Sequence, residues 1–241
     1  MRAGVTGRPH RLARMRVCPG CGERSDDRSR FCWSCGARLD AEPARVRDIR
    51  KTVTVVFCDV VGSTTLGERQ DPERLAWLMS RYFEEMAAAI ERHGGTVGKF
   101  IGDAIMAVFG TPVLHEDDAL RAVRAAVEMR DALVSLNEEL ERSFGVRIDV
   151  RIGVNTGEAI VGDPRRSDTM VTGDTVNTAE RFESSARPGE IGIGEATHRL
   201  TRHANTSEEL PLWTLKGKAH PQRGYRVVDI VAGPRRWPRP C

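Results

Sequence analysis

Lys51-Thr52-Val53-Thr54-Val55-Val56-Phe57-Cys58-Asp59-Val60-Val61-Gly62-Ser63-Thr64-Thr65 is the stretch on which the fold turns. Thr52 to Phe57 is a β-branched apolar run, and such a run predicts a strand buried in a sheet. It ends at an acid, Asp59, and passes into the small-residue loop Gly62-Ser63-Thr64-Thr65. A carboxylate at a strand end beside a loop of small residues is a place where chemistry can be done, because the loop leaves its backbone N–H groups accessible.

Working outward, Asp71-Pro72-Glu73 predicts a helix start, with Asp as N-cap and Pro at the first helical position. Leu75, Leu78, Met79, Tyr82, Met86 and Ile90 then follow helical spacing up to Gly94-Gly95. Thr96–Ile101 and Ala104–Phe109 flank Gly102-Asp103 as a hairpin. A second helix follows Asp117-Asp118, with the stripe Leu120, Val123, Val127, Leu133, Leu136 and Leu140, and Gly145 closes it. Ile148–Val154 and Glu158–Val161 read as another hairpin, and a third helix runs from near Gly173-Asp174 to Arg187-Pro188-Gly189. Shorter strands and a short helix fill residues 190–231. The order strand, helix, strand, strand, helix, strand is the split βαβ arrangement, so the expected class is α+β with a ferredoxin-like antiparallel sheet.

The 241 residues allow one such domain and a small module besides. The expected division is a basic arm (1–16), a cysteine-rich module (17–40), a linker (41–50), the main domain (51–231) and a tail (232–241). Net charge is only +3, too little to imply nucleic acid, although residues 1–50 carry twelve Arg against six acids. That Arg-rich segment reads as a solvated arm. No apolar run follows it, so no secretory signal is expected, and no stretch is long and apolar enough to span a bilayer. A cytoplasmic location follows as the expectation. Of the 37 basic residues only Lys51, Lys99, Lys216 and Lys218 are Lys, and each is a compact point charge in a chain that otherwise writes its positive charge as Arg.

Cys18-Pro19-Gly20-Cys21 and Cys32-Trp33-Ser34-Cys35 are two CxxC pairs, each followed by a glycine, Gly22 and Gly36. Four thiolates at this spacing suit one tetrahedral structural Zn²⁺, with the glycines letting the chain fold back around the metal. A redox pair would sit near a βαβ unit, and disulfides need an oxidising compartment. The module is therefore read as a zinc ribbon whose fold depends on its metal. Trp33 is expected in the ribbon's own small core, and no RNA-binding signature accompanies Phe31, Trp33 and the nearby Arg. Cys58 reads as a buried small hydrophobe, and Cys241 as a free thiol in the tail.

Asp59 and Asp103 converge if the first strand and the following hairpin are neighbours, and two carboxylates there suit Mg²⁺ with a nucleotide phosphate. Gly62-Ser63-Thr64 offers N–H groups beside them, ahead of a helix. Judged alone, each aspartate is as readily a loop cap or an ordinary turn residue.

Four blocks in order make the pattern specific: Phe57-Cys58-Asp59-Val60-Val61-Gly62-Ser63-Thr64, Gly98-Lys99-Phe100-Ile101-Gly102-Asp103, Arg151-Ile152-Gly153-Val154-Asn155-Thr156-Gly157, and Thr172-Gly173-Asp174-Thr175-Val176-Asn177-Thr178-Ala179-Glu180-Arg181. Together they resemble the catalytic domain of the class III adenylyl/guanylyl cyclases over about residues 51–231. The resemblance implies that Asp59 and Asp103 bind two Mg²⁺ or Mn²⁺ ions per site and that Lys99 contacts the purine. Asn177 and Arg181 match the transition-state pair, whose spacing of four puts both on one helix face. Arg151 and Lys218, with Lys216 as a substitute for the latter, match triphosphate-binding positions. Met170 stands where the family usually has Asp or Thr to contact the base. It makes no comparable hydrogen bond, and Thr169 and Thr172 are the neighbouring alternatives. The implied reaction is conversion of ATP to 3′,5′-cyclic AMP and pyrophosphate in a homodimer with composite sites. A guanylyl cyclase, a silent nucleotide- or partner-binding domain and a zinc-ribbon interaction module are the alternatives.

Overall fold

The computed structural model describes residues 15–18, 20–26, 29–37, 39, 49–162, 171–211 and 221–231. Expectations placed on Met170, Thr169, Lys216, Lys218 and Cys241 lie outside the described residues. The chain divides into two units, residues 1–46 and 47–241. The first holds a short antiparallel hairpin of β1 (Met15–Val17) and β2 (Arg24–Asp26), with Cys18, Cys32 and Leu39 buried and Ala37 packed against them.

In the second unit the apolar run becomes β3 (Ile49–Val60), which starts inside the segment expected as a linker because Ile49 and Arg50 pair with a neighbouring strand. It is followed by α1 (Ser63–Arg69), α2 (Pro72–Arg92), β4 (Thr96–Ile101), β5 (Ala104–Phe109), α3 (Asp118–Phe144) and β6 (Val150–Val161). Then come β7 (Val171–Thr172), α4 (Asp174–Ser185), β8 (Ile191–Gly194), α5 (Glu195–Thr201), β9 (Asn205–Glu209) and β10 (Gly224–Ile230). The strands form one eight-stranded sheet in the order β4-β5-β3-β6-β8-β10-β9, with β7 paired to β6. Its β4-β5-β3-β6 part has the expected split βαβ order and is antiparallel throughout. The sheet as a whole is mixed, because β6 and β8 pair in parallel. A parallel pair needs a crossover, and α4 supplies it.

β3 is buried on both faces, as its composition requires. Val56, Cys58 and Val60 face a core shared with Leu78, Tyr82, Met86 and Ile90 of α2 and Val123, Met129, Leu136 and Leu140 of α3. Val53, Val55 and Phe57 face the other side, with Ala179 and Val176 of α4. α2 starts where its sequence says: Asp71 Oδ1 accepts from the Glu73 N–H at 3.0 Å, a cap worth about 1 kcal/mol. Cys58 is fully buried with its Sγ 3.4 Å from Tyr82 Oη. Burial pushes its thiol up to about 12, so it is inert packing. Among the described residues, no helix is long and apolar enough to cross a membrane.

Two expectations are overturned in this unit. The small-residue loop is only Val61 and Gly62, since Ser63-Thr64-Thr65 is the first turn of α1. Residues 148–161 do not form a hairpin: β6 runs unbroken and pairs with β3 from Val60↔Val150 to Ile49↔Val161. Two glycines of this strand serve close approach. A Cβ on Gly153 would lie 2.2 Å from the Ala179 carbonyl oxygen, and one on Gly157 would lie 2.7 Å from Thr175 Oγ1. Their missing side chains let α4 lie directly on the strand. Asn155 then ties helix to sheet, its Nδ2 donating to the Thr175 carbonyl at 3.2 Å.

Candidate active site

The β3–β6 register places Asp59 directly opposite Arg151, and partners across an antiparallel ladder share a face. Arg151 Nη2 donates to Asp59 Oδ2 at 2.8 Å. β5 lies on the other side of β3, with Ile105 opposite Cys58, so the turn before β5 brings Asp103 to the end of the same strand. The two carboxylates interact. Burial holds Asp59 above the usual carboxylate range, and Asp103 adds to this while the Arg151 guanidinium pulls the other way. Asp103 Oδ2 is buried and, among the described residues, has no hydrogen-bond partner. An orphaned buried carboxylate oxygen beside a second carboxylate is costly unless a cation completes it. This donor set fits a hard divalent ion, which takes carboxylate oxygens.

The structure adds a residue that sequence reasoning missed. Glu183 of α4 is only 6% exposed, and its Oε1 lies 3.2 Å from Arg151 Nε. Burial pushes its carboxyl up to about 7, against the pull of Arg151. A signal was present: Thr175, Thr178, Ala179, Phe182 and Glu183 form the buried stripe of α4, so one position of an inward face carries a charge.

The other expected residues are placed as follows. Lys99 is exposed on β4, paired in register with Met106 just past a bulge. Asn177 is exposed and Arg181 half-buried, one turn apart on α4. Among the described contacts, none joins Lys99, Asn177 or Arg181 to Asp59 or Asp103. Gly62 adopts a left-handed conformation (φ 70°) and leads Ser63 and Thr64 into α1, three residues beyond Asp59.

In the first unit the four sulfurs of Cys18, Cys21, Cys32 and Cys35 lie within 4.8 Å of one another. Cys18–Cys35 and Cys21–Cys32 are each 3.6 Å apart, far beyond a disulfide's length of about 2.05 Å. It is close to the edge of about 3.8 Å that a tetrahedron with Zn–S bonds of about 2.3 Å requires. Both corners have the same backbone closure: Gly22 N–H donates to Cys18 O and Gly36 N–H to Cys32 O, each at 2.9 Å, with both glycines at positive φ. Backbone hydrogen bonds at Cys35 pull the Cys32 thiol down to about 6. Against the pull of a backbone hydrogen bond at Ala37, the neighbouring sulfurs of Cys21, Cys18 and Cys32 push the Cys35 thiol up to about 12. The crowded set therefore needs a cation to ionise together. Trp33 corrects an expectation. It is 75% exposed, with its Nε1 donating to the Arg24 carbonyl at 3.3 Å. Two buried cysteines and Leu39, with Ala37 packed against them, already fill so small an interior.

Comparison with known proteins follows this geometry. The profile described as the adenylate and guanylate cyclase catalytic domain matches residues 47–228. Adenylate cyclase 1 of Rhizobium meliloti is 33% identical over 187 residues, which cover 76% of this chain and 28% of that protein. The chain spans between 27% and 40% of the length of the curated relatives it matches. The crystal structure of the adenylyl cyclase CyaB from P. aeruginosa superposes with a TM-score of 0.72 at 33% identity, covering 76% of this chain and 96% of that one. The guanylate cyclase domain of RhGC from Catenaria anguillulae, in complex with GTP, gives 0.67 at 28% identity, covering 76% and 100%.

Proposed function

The chain belongs to the adenylate and guanylate cyclase catalytic domain family, and from that premise we propose that it is a nucleotidyl cyclase that converts ATP to 3′,5′-cyclic AMP and pyrophosphate. The observation that carries the proposal is the pairing of Asp59 with Asp103, whose Oδ2 is buried without a partner among the described residues, beside the Arg151 guanidinium. Asp59 and Asp103 would hold two Mg²⁺ or Mn²⁺ ions through their carboxylate oxygens. When bound, such ions lower the pKa of the attacking hydroxyl and neutralise charge on the leaving phosphates.

The chain's own residues bind and orient the nucleotide. Arg151 and Lys218 take the triphosphate, with Lys216 as a substitute for Lys218, and the Gly62-Ser63-Thr64 backbone N–H groups add to this cradle. Lys99 contacts the purine, with Met170 beside the base. Asn177 orients the ribose so that its 3′-oxygen attacks the α-phosphorus in line. Arg181 neutralises charge that builds on the transferring phosphoryl, a role worth about 10³-fold or more where such an arginine is removed. The protein needs little covalent chemistry, so positioning and electrostatics dominate.

One chain type carries both residue sets, so a homodimer with two composite sites suffices. One Zn²⁺ in the four-cysteine cluster would be structural. Reduced thiols at that cluster and a supply of ATP suit a cytoplasmic enzyme in intracellular signalling. Lys99 favours ATP, and the missing hydrogen-bonding group at Met170 keeps GTP as the second substrate to test.

The test is turnover. The zinc-loaded chain is given ATP or GTP with Mg²⁺ or Mn²⁺, and cyclic nucleotide and pyrophosphate are measured. Cyclic AMP from the wild type, lost in Asp103→Ala, is expected. Asp59→Ala and Arg181→Ala should each be nearly inactive, and mixing them should restore one site per heterodimer. A folded dimer that makes no cyclic product from either nucleotide overturns the proposal. Inactive mixtures that do form heterodimers overturn the composite site.

A further inference from the structure

Arg151 is held between two carboxylates from different elements, and the two contacts differ in kind. Toward Asp59 of β3, Nη2 makes an aligned hydrogen bond at 2.8 Å. Toward Glu183 of α4, Nε sits at 3.2 Å, yet among the described residues neither Arg151 Nε nor Glu183 Oε1 has a hydrogen-bond partner. The second contact is therefore an attraction of charges without alignment. Glu183 is buried, so solvent screens it little. Among the described contacts its other oxygen accepts from a neutral group, Ser184 Oγ at 3.3 Å. Among the described groups acting on it, Arg151 is the cation, while Asp59 and Glu180 add negative charge.

We infer that Glu183 is a positioning residue: it tethers Arg151 on the α4 side, so that the guanidinium neutralises Asp59 beside Asp103 and can release Asp59 to a divalent cation without leaving the site. The inference rests on the proposed role of Asp59 as a metal ligand. An entering cation meets Arg151 on the oxygen it needs, and two like charges compete for one carboxylate. With Glu183 in place, the displaced guanidinium has a buried counter-charge already in contact. Its five N–H donors let it turn from one acceptor to the other. Without that counter-charge the guanidinium stays on Asp59 and opposes the metal.

The experiment is a double-mutant cycle read by Mn²⁺ binding to the zinc-loaded full chain without nucleotide. Electron paramagnetic resonance measures free Mn²⁺ at about pH 8, where Glu183 is ionised. Asp59→Ala fixes which binding belongs to the site. Glu183→Gln should weaken Mn²⁺ binding about tenfold, mid-range for groups in one ion-pair network. In an Arg151→Met background the same change should cost less than about twofold. An equal loss in both backgrounds means that Glu183 acts by its field on the metal alone and overturns the inference, as does no loss in either. Where Arg151→Met does not fold, Arg151→Lys serves, since a point charge cannot bridge two carboxylates as a fork does. The Mn²⁺ concentration for half-maximal turnover gives a second reading and should rise in step. A wild type that binds Mn²⁺ but makes no cyclic product refutes the cyclase reading and leaves this cycle standing. An active wild type without coupling refutes the inference alone.

Discussion

Gly153→Ala adds one methyl group where the fold leaves no room for it. The new Cβ would lie 2.2 Å from the Ala179 carbonyl oxygen, 2.2 Å from the Glu183 nitrogen and 2.9 Å from Glu183 Cα. Favourable contacts between such atoms begin near 3.5 Å, so α4 must retreat from β6 by about 1 Å. All three obstructing atoms are backbone, and no rotamer change relieves them. Overpacking of this kind costs about 1–3 kcal/mol. For a chain of this size each kcal/mol moves the melting temperature by about 2–4 °C, so a loss of about 2–12 °C is expected. α4 also carries Asn177, Arg181 and Glu183. A displacement of about 1 Å in positioning groups lowers turnover by about 10²-fold. Thermal unfolding and cyclic-nucleotide production, measured where the variant is still folded, test both effects. Gly67→Ala in α1 is the control. Its nearest atom, Leu75 Cδ2, is at an ordinary 3.6 Å, and Ala gains about 1 kcal/mol of helix propensity over Gly. Gly153→Ala melting within about 1 °C of the wild type and turning over normally would refute the close packing of α4 on β6.

Two further outcomes follow from the same geometry. Native mass spectrometry should find one Zn²⁺ per chain. Cys32→Ser should lose it together with the residue 15–39 hairpin, as seen by amide exchange, because so small a unit depends on its metal; a folded hairpin without metal would refute this. In the metal-free protein, Glu183 should also make stability depend on pH. Its carboxyl is raised from 4.5 to about 7, so the folded chain holds a proton that the unfolded chain releases. That contribution is complete below about pH 4.5 and is lost as pH rises through about 7. Relative to Glu183→Gln, the wild type should lose up to about 3 kcal/mol of unfolding free energy between about pH 5 and pH 8, and a flat difference would count against the burial of this charge.

Some of this protein is legible locally. The Asp71-Pro72 start of α2, the two-faced burial of β3 and the paired corners of the cysteine cluster each depend on neighbours a few residues apart, and each holds in the structure. Trp33 and the 148–161 segment misled for a common reason. A tryptophan fills a core only if the core has space, and an Asn-Thr-Gly run turns only if nothing pairs with it. In the ribbon two cysteines and Leu39 had already taken the space. In the main unit β3 pairs with the whole of β6.

By itself the sequence determined the start and stripe of α2, the buried run of β3, the β4–β5 hairpin with Asp103 in its turn and the two CxxC corners, because periodicity, caps and ligand spacing are properties of short segments. The tertiary structure alone decided that β6 is one strand with α4 pressed against its glycines, that β8 joins it in parallel, and that Glu183 reaches Arg151 behind Asp59. Those depend on which surfaces meet across long stretches of chain, as Asp59 and Arg151 do across a separation of 92. No local pattern encodes such a distance; close packing settles it.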